Sequence, residues 1–130
     1  MADYTLTVHL DVDPADAERQ VRNALEEQGF GVLTEIDVAA TVKAKLDVDM
    51  PAYRILGACN PSLAHQALQA DPDIGALLPC NVVVRAAEDG GTDVIAADPH
   101  AMLRLSAAKA LDSIADDAGD RLQRALHALG

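Results

Sequence analysis

Apolar and polar residues alternate along several short stretches of the chain, and this pattern predicts β-strands. In YTLTVHLDV, residues 4–12, every second residue is apolar, as in a strand with one buried face. Four further strands are predicted at FGVLTEIDV (30–38), YRILGAC (53–59), LLPCNVVVRA (77–86) and TDVIAAD (92–98). The last two are separated by Asp-Gly-Gly, which supplies the positive φ angles of a tight turn and therefore predicts a β-hairpin.

Helices are predicted where an Asx-Pro pair precedes an amphipathic run. The Asp or Asn side chain can cap the first amide groups, and proline suits the first helical position. Such pairs stand at Asp13-Pro14, Asn60-Pro61 and Asp98-Pro99. A short helix is also predicted over residues 39–47, a loop over 71–75, and a long C-terminal helix. The apolar stripe of that last helix comprises Leu111, Ile114, Ala115, Ala118, Leu122, Ala125, Leu126 and Leu129.

The predicted order of elements is β-α-β-α-β-α-β-β-α-α. It indicates an α/β (α+β) two-layer sandwich, with one mixed or antiparallel five-stranded sheet covered by helices on one face. We expect one domain over residues 1–130. The second, third and fourth strands carry apolar residues on both faces, so something must cover the second face. In so short a chain another copy is a reasonable candidate, and we expect a homodimer.

Charge and composition narrow the choice of partners. The net charge is −11, from 21 acidic against 10 basic residues, and such a field repels nucleic acid and anionic membranes. Asp outnumbers Glu and lysine is scarce, which is typical of salt-adapted proteins; the alternative is an ordinary acidic protein. With no signal peptide pattern and no apolar run of about 20 residues, we expect a cytoplasmic location.

Each of the two cysteines directly precedes an asparagine, at Cys59-Asn60 and Cys80-Asn81. Cys59 would lie beside the positive end of a helix, which favours thiolate and would lower its pKa. The alternative is a small apolar residue that fills a strand-to-helix corner. Cys80 shares a strand face with Val82, which favours a core position, whereas Asn81 points the other way.

Whether Cys59 and Cys80 can form a disulfide depends on the relative direction of the third and fourth strands. If a right-handed parallel crossover joins the third and fourth strands, the thiols lie at opposite ends of the sheet, on the order of 15 Å apart. A disulfide requires Cα atoms within about 7 Å, so neither a disulfide nor a two-cysteine metal site is expected within the chain. Motifs for nucleotides, zinc and serine catalysis are missing from the sequence, so no cofactor or metal is predicted.

A second candidate set of side chains is polar and is expected on the open face of the sheet. It could line a small polar pocket, or it could form ordinary ion pairs such as Glu35–Arg54. The set comprises Thr7, His9, Glu35, Asp37, Arg54, Asn81 and Arg85.

The blocks GFGVLTEIDV, YRILGACNPSLAHQAL and LLPCNVVV, with the Asp-Pro pair after the last strand, resemble the bacterial and archaeal domain of unknown function family 302. The resemblance runs from about residue 4 to 128. It implies a two-layer α/β sandwich that is often a homodimer, and it implies no established reaction. The matching positions are Gly31, Glu35, Asp37, Lys45, Gly57, Cys59, Asn60, Pro61, Pro79, Cys80 and Asn81.

Two classes of function follow. The favoured one is a dimeric, non-enzymatic binding or interaction module, with a small polar ligand near the Cys-Asn motifs, because the sequence offers no nucleophile–base pair. The alternative is a redox sensor or small enzyme that uses Cys59 or Cys80 as a thiol. The residues expected to bind a ligand are Cys59, Asn60, Asn81, Glu35, Asp37 and Arg54.

Overall fold

A computed structural model describes residues 3–129 of the chain. The predicted elements are present in the predicted order. The strands are β1 (Thr5–Leu10), β2 (Gly31–Asp37), β3 (Tyr53–Cys59), β4 (Cys80–Ala86) and β5 (Thr92–Ala97). The helices are α1 (Pro14–Glu27), α2 (Val38–Leu46), α3 (Pro61–Ala70), α4 (Pro99–Leu103) and α5 (Leu111–His127). The predicted loop at 71–75 differs, because Pro72–Leu77 is a 3₁₀ helix capped by the Asp71 side chain.

The sheet has the strand order β1-β5-β4-β3-β2. Each neighbouring pair of strands is antiparallel. Of the mixed and antiparallel sheets that the sequence left open, the protein therefore has the antiparallel one. The predicted hairpin joins β4 to β5, and its two glycines have φ angles of +97° and +75°. Consequently β3 ends, and β4 begins, at the same end of the sheet.

All three predicted Asx-Pro helix starts are confirmed. The carboxylate of Asp13 accepts a hydrogen bond from the amide of Asp16 at 2.8 Å. The side chains of Asn60 and Asp98 cap α3 and α4 in the same way. Each cap satisfies an amide that the first helical turn leaves without a partner, and each proline occupies a position that needs no donor.

Helices α1 and α5 cover one face of the sheet, and the buried side chains form two clusters. The first cluster joins the sheet to α1 and to the C-terminal half of α5, and it includes Leu25, Leu56, Val82 and Leu122. The second joins α3, the 3₁₀ helix, α4 and the N-terminal half of α5, and it comprises Leu63, Ala67, Ile74, Leu103, Leu111, Ile114, Ala115 and Ala118. The protein therefore has a sheet core and a separate helical core at one end of the sheet.

A register shift in β2 changes which side chains face the helices. Val32 is opposite Ala58, but Thr34 is opposite Gly57, so Leu33 has no partner position in β3. Such a bulge moves every later side chain of the strand to the other face. Strict alternation along the sequence predicts Val32, Thr34, Ile36 and Val38 on one face. In the sheet Val32 faces the helices, whereas Thr34 and Ile36 lie on the open face, so that prediction is wrong.

Candidate functional site

The two cysteines lie at the same end of the sheet, on neighbouring strands. Ala58 is directly opposite Cys80 in the antiparallel pair of β3 and β4, and Cys59 is the next residue along β3. Standard strand spacing and rise place the two cysteine Cα atoms about 6 Å apart. Because successive side chains of a strand point to opposite faces, Cys80 shares the helix-covered face with Ala58, and the Cys59 side chain starts on the open face. The expectation that they lie at opposite ends of the sheet is wrong, because it assumed a parallel crossover. Both are free thiols, and both are partly exposed.

A cavity of about 40 Å³ lies between the sheet core and the helical core, and both cysteines line it. Its walls come from the ends of β3 and β4, from α3, α4 and α5, and from the chain just before β4. The lining is almost entirely apolar, with Asn60 as its only amide side chain. The remaining lining residues are Phe30, Ala58, Leu63, Ala64, Ala67, Leu77, Leu78, Pro79, Pro99, Met102, Leu103, Ile114 and Ala118.

Burial raises the pKa of Cys59 above its ordinary value. This direction is opposite to the lowering expected from its position before α3. The nearest N-terminal amide is already engaged, because Asn60 Oδ1 accepts the hydrogen bond of the Leu63 amide at 3.2 Å. Asn60 therefore acts as the predicted cap, and Cys59 remains a neutral thiol near neutral pH.

Cys80 is more strongly enclosed than Cys59. Burial, together with the charge that a Cys59 thiolate would carry, raises its pKa to about 11. Its side chain lies on the same sheet face as Val82 and Val84, as predicted, and both valines are 1% exposed. The cavity thus holds the neutral thiol of Cys80 in apolar surroundings, since burial disfavours the thiolate form, and Cys59 lines the cavity from the end of β3.

Glu35, Asp37 and Arg54 form a separate group at the opposite end of β3. The bulge places Glu35 and Asp37 on the helix-covered face, and Arg54 occupies that face too, opposite Asp37. The prediction that these three residues project from the open face is therefore wrong. Glu35 is level with Leu56, three residues from Cys59, and Arg54 is five residues away; none of the three lines the cavity.

Arg54 is the centre of an ion-pair network at this end. Its Nε lies 2.7 Å from Glu18 Oε1 of α1, although the angle is too poor for a hydrogen bond. Its two Nη atoms lie 3.3 Å from Glu35 and 3.4 Å from Asp37. Arg22 of α1 also pairs with Glu18 and Glu35. The Glu35–Arg54 ion pair, which was the alternative interpretation of this set, is present.

The remaining polar residues of the predicted set do lie on the open face. Asn81 is exposed and stands opposite Gly57, away from the cavity. His9 Nδ1 lies 2.8 Å from Asp93 Oδ1, and Arg85 Nη2 lies 3.5 Å from Asp93 Oδ2. These groups form surface ion pairs on neighbouring strands rather than a pocket around Asn81.

The structure adds residues to the candidate site that the sequence analysis did not identify. Met102 of α4 lines the cavity with the two cysteines, and Pro79 follows Leu78 through a cis peptide bond directly before Cys80. The available signal was the Asp98-Pro99 pair, which predicted α4 but not its packing against α5 and the 3₁₀ helix. Within residues 3–129, no helix is long and apolar enough to cross a membrane. In the same range, no three or more His, Cys, Asp or Glu side chains form a group that could hold a metal ion.

Fold and cavity together define a small two-layer α/β sandwich with a thiol-lined cavity at one end of its sheet. The chain belongs to the family described as domain of unknown function DUF302, whose model matches residues 4–129. Its structure is similar to the crystal structure of an uncharacterized conserved DUF302 protein from Bacillus stearothermophilus, with a TM-score of 0.91 and 28% sequence identity. That similarity covers 99% of this chain and 100% of the other. None of the curated proteins compared matches the chain.

Proposed function

We propose that the protein is a non-enzymatic binding module that holds a small ligand in the cavity between Cys59 and Cys80. The observation that carries this proposal is that the only two cysteines of the chain line one apolar cavity from neighbouring strands. Mostly apolar walls with few polar groups are typical of small-molecule sites, and at about 40 Å³ this cavity has room for a ligand of only a few atoms. Binding is favoured over catalysis because the lining contains no histidine or carboxylate that could act as a base towards either thiol.

The lining changes the expected character of the ligand. The sequence predicted a small polar ligand near Cys59, Asn60 and Asn81, but Asn81 faces away and Asn60 is used as a helix cap. A polar ligand would lose its hydration in this cavity without gaining partners, which costs free energy. The cavity supports a ligand that is apolar or that binds to sulfur.

Access to the two thiols tests this proposal. The native protein would be treated with methyl methanethiosulfonate, which is small and uncharged, and with a bulky anionic aromatic disulfide. We expect the small reagent to modify both cysteines and the bulky anion to modify neither, because the cavity is only about 40 Å³ and the chain carries a net charge of −11. Cys59→Ser and Cys80→Ser variants assign the signals. Reaction of neither cysteine until the protein unfolds would show that both are closed core residues and would refute the proposal.

A thiol redox function is the second candidate, because the two cysteines lie on neighbouring strands with Cα atoms about 6 Å apart. Cys59 is one residue beyond Ala58, which is opposite Cys80, so the two side chains start on opposite faces of the sheet, and a disulfide would require the end of β3 to rearrange. Oxidation would join the two sulfur atoms and pass two electrons and two protons to an external disulfide, which would be reduced to two thiols. Incubation with oxidised glutathione tests this: loss of two hydrogens from the monomer supports it, and an unchanged mass contradicts it.

We also propose that the working form is a homodimer, with β2 and α2 at the interface. No residue of α2 is buried, and a nine-residue helix is too short to be stable without packing. The neighbouring apolar side chains are strongly exposed: Leu33 (67%), Ile36 (50%), Leu46 (69%) and Val48 (50%). Lys43 of α2 is already paired with Asp47 and Asp49 of its own chain, so the proposed interface rests on these apolar side chains rather than on charge.

Light scattering after size exclusion tests the dimer. We expect a dimer at micromolar concentration and a monomer after Leu46→Asp, since a charge at the interface would lack a partner. Leu105→Asp is the matched control, because Leu105 is 72% exposed but lies after α4, in another part of the fold. A monomeric wild type, or equal effects of both substitutions, would contradict this interface.

A further inference from the structure

The cavity beside Cys80 is small, so a ligand larger than a few atoms enters it only if one of its walls moves. Its volume is about 40 Å³. The ends of β3 and β4 are held by their neighbours in the sheet, and α3 and α5 are ten and seventeen residues long. The 3₁₀ helix is held by Ile74, which is 2% exposed, and by its cap Asp71, which also accepts a hydrogen bond from Ser106. The inference that follows rests on the proposed function, because it concerns how a ligand reaches the same cavity.

Helix α4 is the wall with the least support of its own. It has five residues, and a helix of this length is stable only through its packing. Pro99, Met102 and Leu103 of α4 line the cavity, and Pro99 and Leu103 are buried, so α4 closes the cavity in the resting state. The following residues, 104–110, form turns rather than a regular helix or strand, so α4 can move without displacing α5. Such a local opening needs less free energy than unfolding of the whole domain.

His100 fastens α4 to α5 on the side away from the cavity. It is the only polar residue of α4, and its ring lies against Gly119 of α5. A Cβ atom at Gly119 would lie 2.6 Å from His100 Nε2 and 2.8 Å from Cδ2, so only glycine leaves room for the ring. His100 Nδ1 also lies 3.1 Å from Asp116 Oδ1. Gly119 is the only glycine of α5, and glycine inside a helix destabilises it relative to alanine, so the position favours the ring at the expense of the helix.

We propose that α4 is a gate for the cavity and that His100 is the latch that holds this gate closed. In the closed state the His100 ring lies on Gly119, and Met102 covers part of the cavity. In the open state the ring leaves Gly119, α4 moves away from α5, and Met102 withdraws, which exposes the Cys80 thiol and makes room for a ligand. His100 does not line the cavity, so it acts by positioning α4 rather than by contact with the ligand.

The experiment measures how fast Cys80 reacts with methyl methanethiosulfonate in the native, full-length protein. The reference protein is Cys59→Ser, in which Cys80 is the only thiol, and every variant is made in it. Gly119→Ala places a methyl group where the His100 ring lies and should speed the reaction by about 10-fold, which corresponds to about 1.4 kcal/mol in the opening equilibrium. Its stability in urea should not fall, because alanine favours a helix over glycine. Ser113→Ala is the matched control, because it improves the helix propensity of α5 at an exposed position, and it should react as the reference does.

His100→Ala separates the latch from other effects of Gly119→Ala. Removal of the ring should also speed the reaction, and Gly119→Ala should then add no further effect, because the two residues act through one contact. Equal rates in the reference and in Gly119→Ala would overturn the gate while leaving the proposed binding cavity intact. A faster reaction that matches a loss of stability, or that Gly119→Ala still produces in full without the ring, would also overturn the gate. A Cys80 thiol that reacts in no variant before unfolding would overturn both the gate and the proposed function.

Discussion

The two ends of β3 provide opposite environments for polar groups. At the Arg54 end, one guanidinium lies within 3.4 Å of three carboxylates, and each of these groups also reaches solvent. At the Cys59 end, two neutral thiols line an apolar cavity between two cores. The same strand thus begins at a charged network around Arg54 and ends at the cavity beside Cys59.

This difference teaches that burial, rather than residue type alone, determines what each group of side chains can do. The Arg54 network contains more ionisable groups, yet solvent weakens such pairs and their direct role is modest stabilisation. The cysteine end contains almost no polar atoms, so the few that are present have strongly altered properties, as the pKa of about 11 for Cys80 shows. Ligand binding is therefore expected at the end with less charge.

The largest expected effect comes from a charge placed at the cysteine end. Cys80→Asp would put a carboxylate into apolar surroundings and should destabilise the fold by at least about 3 kcal/mol. Asn81→Asp is the matched control, because it makes a charge at the next, exposed position of β4, and its effect should stay within about 0.5 kcal/mol. Urea unfolding measures both. Equal effects would show that the cavity is open to water.

Alkaline pH should destabilise the protein through Cys80. Burial raises the pKa of Cys80 to about 11 from an ordinary value of 9.0. The unfolded chain therefore releases this proton at lower pH than the folded protein does. The stabilising contribution is complete below pH 9 and is lost as the pH rises through about 11.

The loss should reach roughly 2 kcal/mol by pH 11, relative to a variant without the thiol. Cys80→Val provides that reference, because valine has a similar size and does not titrate. The free energy of unfolding of both proteins would be measured from pH 8 to 11. A constant difference between them over this range would mean that Cys80 is solvated in the folded state.

A smaller effect is expected at the charged end. Arg54→Met leaves Glu18, Glu35 and Asp37 with less neutralising charge and should cost about 1 to 2 kcal/mol at low salt. The cost should fall in high salt, because screening weakens the remaining repulsion. Arg85→Met, which removes a single pair at 3.5 Å, is the control and should cost less than about 0.5 kcal/mol. A cost that does not depend on salt would indicate lost packing instead.

The smallest expected effect concerns the whole acidic surface. If the bias towards Asp reflects salt adaptation, molar KCl should raise the Tm by about 3 °C or more, through screening of the net charge of −11. The cysteine cavity should not contribute, so Cys80→Val should show the same rise. A Tm that does not increase with KCl would favour an ordinary acidic protein.

Local structure was predictable from the sequence, and long-range placement was not. The caps at Asp13, Asn60 and Asp98 could be predicted because each depends on a side chain and an amide only two or three residues apart. The bulge at Leu33 could not, because alternation continues through it in the sequence. It depends on which residue of β3 is opposite, a property of the folded sheet.

The candidate site was predicted only in part, for the same reason. Cys59, Asn60 and Cys80 were singled out correctly as neighbours of strand ends, and Asn60 caps α3 as expected. Their convergence depends on whether β3 and β4 run parallel or antiparallel, and a connection that contains a helix is compatible with both. Met102 enters the site only because α4 packs beside α5 at that end of the sheet.

Cross-linking of the native protein with dibromobimane, which becomes fluorescent when it joins two thiols, tests the central claim most directly. The adjacency of Cys59 and Cys80 predicts a fluorescent monomer, with the signal abolished in Cys59→Ser and in Cys80→Ser. A protein in which each thiol reacts with a small reagent, but no fluorescent monomer forms, would show that the two thiols do not open into one cavity. That result would contradict the two-thiol cavity on which the proposed function rests.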